Sequence, residues 1–119
     1  MIENQNPKQY DLEERTLKFA EQVRDFIRKL PKTLTNIEYS KQLIRASGSV
    51  GANYIEANES FSKKDFVMRI KICRKEVKES RYWLKLVEIT NNLEKERELL
   101  IQEATELMKI FGSIVEKSK

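Results

Sequence analysis

Apolar side chains recur at helical spacing along four stretches of this chain. The longest unbroken series alternates steps of four and three residues: Phe66, Ile70, Cys73, Val77, Ser80, Leu84 and Val87. This spacing returns to one face of a helix at every turn and is typical of a packed seam. The four stretches predict helices over about residues 11–30, 36–58, 63–90 and 93–116. Residues 1–10 lack the period and are predicted to form a disordered or loosely docked N-terminal tail.

Helix-capping signals precede these stretches. Three pairs place a short polar side chain three residues before a carboxylate, as in a capping box: Asp11 with Glu14, Thr35 with Glu38, and Ser62 with Asp65. Asn91 and Asn92 offer a cap for the fourth helix. Pro31 ends the first helix, because proline lacks an amide hydrogen and disfavours helical geometry in the residue before it.

Four amphipathic helices with short polar connections bury their apolar stripes most simply in an antiparallel bundle. We therefore predict an all-α fold, an antiparallel up-down-up-down four-helix bundle, as a single domain over residues 11–119. The 119 residues are enough for one hydrophobic core and too few for two. An open helical hairpin completed by a second chain would also satisfy the pattern, although four seams in one chain make it less necessary.

The second predicted helix is apolar on two sides. One stripe consists of Leu43, Ala46, Ser47, Val50, Tyr54 and Ala57, and the other, about 100° further round, of Ile44, Gly48, Gly51 and Ile55. A glycine inside a helix costs about 1 kcal/mol relative to alanine. Gly48 and Gly51 therefore predict a place where a neighbouring helix comes very close.

The remaining face of the second helix is a polar strip, formed by Gln42, Arg45, Ser49, Asn53 and Glu56. If it is partly buried, its members must hydrogen-bond one another or the third helix. We expect Arg45 to pair with Glu76 or Glu79, so that Arg45, Asn53 and Glu56 fix the register between the two helices. A ligand site is the alternative interpretation of the strip.

The positive charge is concentrated in one segment. The chain carries a formal charge of +4, and residues 62–90 alone hold nine Lys or Arg against four Asp or Glu. Five of these cations fall within about 80° of one another on the third helix and form a ridge about 20 Å long: Lys71, Arg74, Lys78, Arg81 and Lys85. We call these five residues the cationic ridge.

Two interpretations of the cationic ridge remain open. It could follow a phosphate backbone, with binding that weakens steeply as salt rises. It could instead be a solvated face whose cations pair with glutamates of the fourth helix or of another subunit.

The opposite flank of the third helix is acidic and aromatic, with Ile72, Glu76, Glu79, Trp83 and Leu86. Tryptophan and tyrosine are enriched at interfaces, so Trp83 and Tyr82 favour self-association. Because the two flanks differ in charge, a head-to-tail contact is at least as natural as a two-fold dimer. Alternatively, Trp83 simply covers the end of the core.

The composition argues against most enzyme chemistry. There is no histidine, which excludes imidazole acid–base catalysis and the Glu-x-x-His di-iron sites of helical bundles. The one cysteine, Cys73, lies on the core seam and is interpreted as a small hydrophobe rather than a nucleophile. We expect no catalytic residue, metal or cofactor. No apolar run approaches the roughly 20 residues needed to cross a bilayer, and no signal peptide is evident, so a cytoplasmic location is expected.

Several motifs resemble a known family. They are Gln42-Leu-Ile-Arg45-Ala46-Ser47, Ser49-Val50-Gly51-Ala52-Asn53, Glu56-Ala57 and Lys75-Glu76-Val-Lys-Glu79-Ser80-Arg81-Tyr82-Trp83-Leu84. Together they are similar to the bacterial four-helix bundle family of 23S rRNA intervening-sequence proteins, over about residues 12–115. That family is in turn related to the accessory protein of diversity-generating retroelements. The resemblance implies a closed bundle, a homopentamer, and partners among RNA, DNA or a reverse transcriptase.

The leading hypothesis is a non-enzymatic oligomeric bundle that binds nucleic acid, or a nucleic-acid enzyme, through the cationic ridge. The alternative is a protein–protein scaffold with no nucleic-acid role, in which the same cations make subunit contacts. Both hypotheses assign a role in structure and assembly to Gly48, Gly51, Trp83 and the residues of the polar strip.

Overall fold

A computed structural model describes the backbone of residues 7–119 and the side chains from Leu12 onwards. The described residues are helical apart from short connections, and contain no β-strand. The helices are α1 (Pro7–Arg28), α2 (Leu34–Asn58), α3 (Lys63–Leu86) and α4 (Glu94–Lys117), with a single 3-10 turn at Asn91–Leu93. Residues 1–6 of the predicted N-terminal tail lie outside the described part, whereas residues 7–10 belong to α1.

The helix ends refine the sequence-based bounds. Helix α1 begins at Pro7, a residue suited to the first helical turn because its missing amide hydrogen is not needed there. Helix α2 is capped by Thr33 rather than Thr35: the Thr33 Oγ1 accepts the Asn36 amide hydrogen at 3.1 Å. Ser62 caps α3 as predicted, accepting from the Asp65 amide at 3.1 Å.

The four helices close into one bundle. Helix α1 packs on α2 and α4, and α3 packs on the same two helices, so α1 and α3 lie diagonally opposite. Successive helices run antiparallel because only short connections join them. The predicted all-α up-down-up-down four-helix bundle is confirmed, in a body measuring 45 × 27 × 19 Å.

The core lies along the predicted seams. Phe19 and Phe26 of α1 and Phe111 of α4 are its largest fully buried side chains. The α3 seam is buried from Ile70 to Leu84. In the last turn of α4, Val115 is buried, whereas Ile114 packs only partly against the core.

Gly51 meets another helix and Gly48 does not. A β-carbon at Gly51 would lie 3.0 Å from the Thr16 Oγ1 and 3.3 Å from the Thr16 Cβ of α1, so the predicted close approach is present there. A β-carbon at Gly48 would meet nothing within 4 Å, because Gly48 lies on the outer surface. The close approach predicted at Gly48 is therefore wrong within one chain.

Asn36 ties together two connections of the bundle. Its side chain is 2% exposed; its Nδ2 donates to the Pro31 carbonyl at 2.9 Å and to the Glu88 carbonyl at 2.8 Å. The Glu88 amide donates back to the Asn36 Oδ1 at 2.9 Å. Helix α3 accordingly ends at Leu86 rather than near 90, because Val87 is extended and Glu88 is held by Asn36.

Asn36→Ala is expected to lower the free energy of unfolding by about 3 kcal/mol, since it removes three hydrogen bonds to partly buried backbone groups. Chemical denaturation measures this loss. Asn92→Ala, at an exposed position of the same connection as Glu88, is the control and should change stability little. Equal stability of the two variants would contradict the role assigned to Asn36.

Candidate nucleic-acid interface

Side-chain contacts locate the two flanks of α3. Towards α2, the Arg69 Nη1 donates to the Asn53 Oδ1 at 2.9 Å. Towards α4, the Arg81 Nη1 donates to the Thr105 Oγ1 at 3.2 Å. The outer surface of α3 is thus divided into an α2 flank and an α4 flank, and the residue types on the two differ.

The cationic ridge occupies the α4 flank. Its three lysines are exposed, while Arg74 and Arg81 are half-buried against α4. The Arg74 side chain passes beside Gly112, where a β-carbon would lie 3.8 Å from the Arg74 Nη1. Helix α4 therefore supports the two guanidinium groups, and the three exposed lysines alternate with them along α3.

No cation of the ridge forms an ion pair with another described side chain. Three α4 carboxylates pair instead with Arg15 of α1 or with Lys29, which follows α1. The Arg15 Nη2 lies 2.7 Å from a Glu103 carboxylate oxygen and 3.3 Å from one of Glu106, and the Lys29 Nζ lies 3.1 Å from one of Glu96. Neutralisation of the ridge by α4 glutamates is therefore wrong within the described chain. Pairing with another subunit stays a prediction.

The predicted pairing of Arg45 with α3 is also wrong. Arg45 is exposed and its Nη2 donates to the Gln42 Oε1 of its own helix. On α3, Glu79 lies 4.0 Å from the Lys75 Nζ, and the Glu76 Oε1 is buried without a described hydrogen-bond partner. Arg45 does not lie on the side of α2 that packs against α3. The side-chain contact between the polar strip and α3 is made by another residue of the strip.

Asn53 is the member of the polar strip that crosses to α3. Its Oδ1 accepts from Arg69, and its Nδ2 donates to the Ser49 carbonyl and Oγ, both at 2.9 Å. Glu56 is exposed and makes no described side-chain bond to α3. The sequence analysis did not identify Arg69 as a partner of the polar strip, because Arg69 lies beside the α3 seam and is not one of the ridge residues. Arg69 precedes Glu76 by seven residues, or two helical turns, and therefore lies on the same face of α3. This spacing could have identified Arg69 as a residue that faces α2.

The α2 flank of α3 carries aromatic side chains. The Trp83 ring lies 6.0 Å from the Tyr39 ring of α2 and 5.1 Å from the Tyr82 ring, between centroids. Trp83 is half-buried against the core, which favours the interpretation that it covers the end of the core. Tyr82 and Leu86 remain exposed beside it, 58% and 37% respectively.

A second exposed apolar surface lies on α2, on the side that faces α1. It consists of Ile37, Ile44, Gly48 and Ile55, and we call it the α2 apolar stripe. The three isoleucines are between 44% and 49% exposed. The contact of Gly51 with Thr16 shows that this side of α2 adjoins α1, opposite the side where Asn53 meets α3.

Cys73 is sealed in the core. It is fully buried, and its Sγ lies 3.5 Å from the Val50 carbonyl oxygen. Burial raises the pKa of the Cys73 thiol to about 12, so at neutral pH the nucleophilic thiolate is essentially absent. Cys73 accordingly serves as a small core side chain.

Native protein is expected not to react with a thiol reagent such as DTNB at pH 8, and unfolded protein is expected to react with one equivalent. An unfolded thiol ionises near pH 8.5 and the native one near 12, so the unfolded state loses its proton first. The free energy of unfolding should therefore fall as pH rises above about 9. Rapid labelling of folded protein would contradict this burial.

Within the part of the chain that the structure describes, no three His, Cys, Asp or Glu side chains cluster so as to hold a metal ion. Among the described residues, no helix is both long and apolar enough to span a bilayer.

Comparisons with known proteins agree with the fold. The profile of the family described as 23S rRNA-intervening sequence protein matches residues 8–113. A crystal structure of a protein of unknown function from the S23 ribosomal protein family of Bacteroides thetaiotaomicron superposes with a TM-score of 0.80. It is 30% identical, and the match covers 92% of this chain and 98% of that one. No match was found among curated proteins.

Four antiparallel helices packed around one core define a helical-bundle protein of the up-down-up-down class. The match over residues 8–113 covers most of the chain. The chain belongs to the family of 23S rRNA-intervening sequence proteins, which confirms the resemblance carried by the α2 and α3 motifs.

Proposed function

We propose that this protein is a non-enzymatic, self-associating helical bundle that binds structured RNA or DNA, or an enzyme acting on them such as a reverse transcriptase, through the cationic ridge. The main support for this proposal is that five aligned cations on one flank of α3 have no counter-ion among the described side chains. Such cations can neutralise phosphates without first breaking an ion pair.

The dimensions of the ridge suit a nucleic-acid backbone. Fourteen residues separate Lys71 from Lys85, about 20 Å along a helix. That length corresponds to roughly six steps of one duplex strand. Arg74 and Arg81 are held against α4 and lose little further freedom on binding, whereas the exposed lysines can adjust to phosphate positions. The arrangement supports recognition of the backbone rather than of base sequence.

Two different apolar surfaces support self-association. The α2 apolar stripe lies on the side of the bundle shared with α1, and Tyr82 and Leu86 lie on the flank of α3 towards α2. Both surfaces adjoin α2 and occupy neighbouring sides of the bundle. If the stripe of one copy covers the Tyr82–Leu86 surface of the next, each copy is turned relative to the last and a small ring closes. A homopentamer is the number that the family resemblance implies.

Gly48→Leu is expected to separate the copies while leaving each one folded. Within a chain the new side chain enters open space and gains about 0.5–1 kcal/mol of helix propensity, but it would collide with a second copy packed on the stripe. Light scattering measures the mass, and circular dichroism confirms the helix content. An assembly of unchanged mass would show that the stripe is not the contact.

Titration of a labelled RNA hairpin with the wild-type protein at about 50 and about 200 mM salt tests the binding function directly. We expect binding that weakens steeply at the higher concentration. Absence of binding at both concentrations would overturn the proposal.

The exposed α2 apolar stripe also favours a second candidate, a protein scaffold whose ridge contacts other subunits. Light scattering of a variant with glutamine at all five ridge positions separates the two. Monomers would support the scaffold, and an intact assembly that no longer binds RNA would support nucleic-acid binding.

A further inference from the structure

Phe61 is the most exposed large apolar residue of the described chain. It lies in the connection between α2 and α3 with a side chain 102% exposed, and it contributes nothing to the core. The backbone on both sides is fixed, because the Ser60 amide donates to the Ala57 carbonyl at 3.1 Å and Ser62 caps α3. A planar apolar ring is thus presented to solvent from a short, hydrogen-bonded turn.

Lysines surround the adjoining end of α3. An open groove of about 800 Å³ lies there, with an apolar floor of Val67, Met68 and Ile72. Five lysine side chains line it, Lys63, Lys64, Lys71, Lys75 and Lys119, against one acidic side chain, Asp65; of the five, Lys75 and Lys119 also pair with Glu79 and Glu116, respectively. The groove is therefore strongly cationic around an apolar centre, and this charge is complementary to an anionic ligand that has an apolar surface.

This groove continues the cationic ridge. Lys71 belongs to both, and the cations of α3 extend from Lys63 to Lys85, about 33 Å at 1.5 Å per residue. Lys63, Lys64 and Lys71 form no ion pair with described side chains. A phosphate chain that follows the ridge would therefore pass over the groove and reach the turn that carries Phe61.

We infer that the groove and Phe61 bind a single-stranded segment of nucleic acid that adjoins a duplex held on the ridge, an inference that rests on the proposed function. One unpaired base stacks on the Phe61 ring, and the neighbouring phosphates lie near Lys63 and Lys64. Stacking needs only one exposed ring and accepts every base. Nucleic acid is favoured over a lipid surface because the lysines of the groove continue the linear row of cations along α3.

Two labelled RNAs test this inference: a blunt hairpin, and the same hairpin with a single-stranded extension of about six nucleotides. The extension is expected to raise the affinity of the wild-type protein about 10-fold, in line with stacking of one base. Phe61→Ala should remove this gain and leave blunt-hairpin affinity unchanged. Phe61→Trp should keep the gain. Both variants should melt at the wild-type temperature, because the ring packs on nothing.

The outcomes separate this inference from the proposed function. If both RNAs bind equally to wild type, or if Phe61→Ala keeps the gain, the inference is wrong and ridge binding stands. If neither RNA binds, both are wrong. Phe61-dependent binding to vesicles containing an anionic lipid, or a Phe61→Ala change in assembly mass, with no effect on the RNAs, would assign the ring to a membrane or to a second copy and overturn the inference.

Discussion

Replacement of all five ridge cations by glutamine is expected to weaken binding of a structured RNA at least about 100-fold at physiological salt. Each cation that neutralises a phosphate releases condensed counter-ions, and five such contacts together account for that loss or more. The substitutions should leave the fold intact, since the ridge carries no ion pair among the described side chains and only Arg81 donates a described hydrogen bond, to Thr105. Fluorescence anisotropy of the labelled hairpin measures the change.

A charge-matched variant controls for the loss of positive charge. It carries glutamine at five exposed cations outside α3: Lys18, Arg28, Lys32, Lys95 and Lys117. Both variants fall from a formal charge of +4 to −1. The control should retain most of the wild-type affinity, because its charges lie apart from the ridge. Equal losses in the two variants would show that overall charge, and not the ridge, attracts the RNA.

Gly51→Leu is expected to lower the free energy of unfolding by about 3 kcal/mol, with a fall in Tm of about 10 °C. The first added carbon would already lie 3.0 Å from the Thr16 Oγ1, and the rest of the side chain would push into α1. Thr16 cannot turn away easily, since it is 1% exposed and donates to the Leu12 carbonyl at 2.8 Å. Helices α1 and α2 must therefore separate locally.

Gly48→Leu, one turn earlier on α2, is the matched comparison for this destabilisation. It makes the same change in a helix interior but meets nothing within 4 Å, so thermal unfolding of the single chain should be unchanged or slightly raised. We expect Gly51→Leu to disturb the fold and Gly48→Leu to disturb assembly only. A stable Gly51→Leu variant of wild-type mass would contradict the contact with α1.

The fold was predictable because apolar residues recur at helical spacing in all four helices. The spacing along α3 from Ile70 to Leu84 is the buried face in the structure, and Ser62 caps α3 as predicted, whereas α1 ends at Arg28, two residues before its predicted end. The division of α3 into a cationic and an aromatic flank also followed from the spacing, since 100° per residue fixes which side chains share a face.

Contacts that depend on side-chain reach were not predictable in the same way. Arg45 and Asn53 share a polar strip in the sequence, but only Asn53 lies close enough to α3, and its partner is Arg69 rather than a glutamate. Asn36 looked like an interior residue of a capping box, and nothing local in the sequence indicates a bond to Glu88, 52 residues away. Helix periodicity predicts the side of the helix on which a side chain lies. Which residue it contacts on a neighbouring helix depends on how the two helices are offset along their axes.

The glycine pair of α2 illustrates the same limit. The sequence predicted one close approach at both positions, yet Gly51 adjoins α1 and Gly48 faces outward. The pair therefore combines a contact inside the chain with the contact proposed between copies. Phe61 carried no signal, because a lone aromatic residue in a connection is as compatible with burial as with exposure.

The salt dependence of RNA affinity distinguishes binding at the cationic ridge from binding elsewhere on the protein. For wild type, the logarithm of the binding constant plotted against the logarithm of salt concentration should fall with a slope of about −4, as expected for five phosphate contacts per bound chain. The five-glutamine ridge variant should show a slope near zero, while the charge-matched variant keeps the wild-type slope. Identical slopes for wild type and ridge variant would contradict the assignment of the cationic ridge as the nucleic-acid interface.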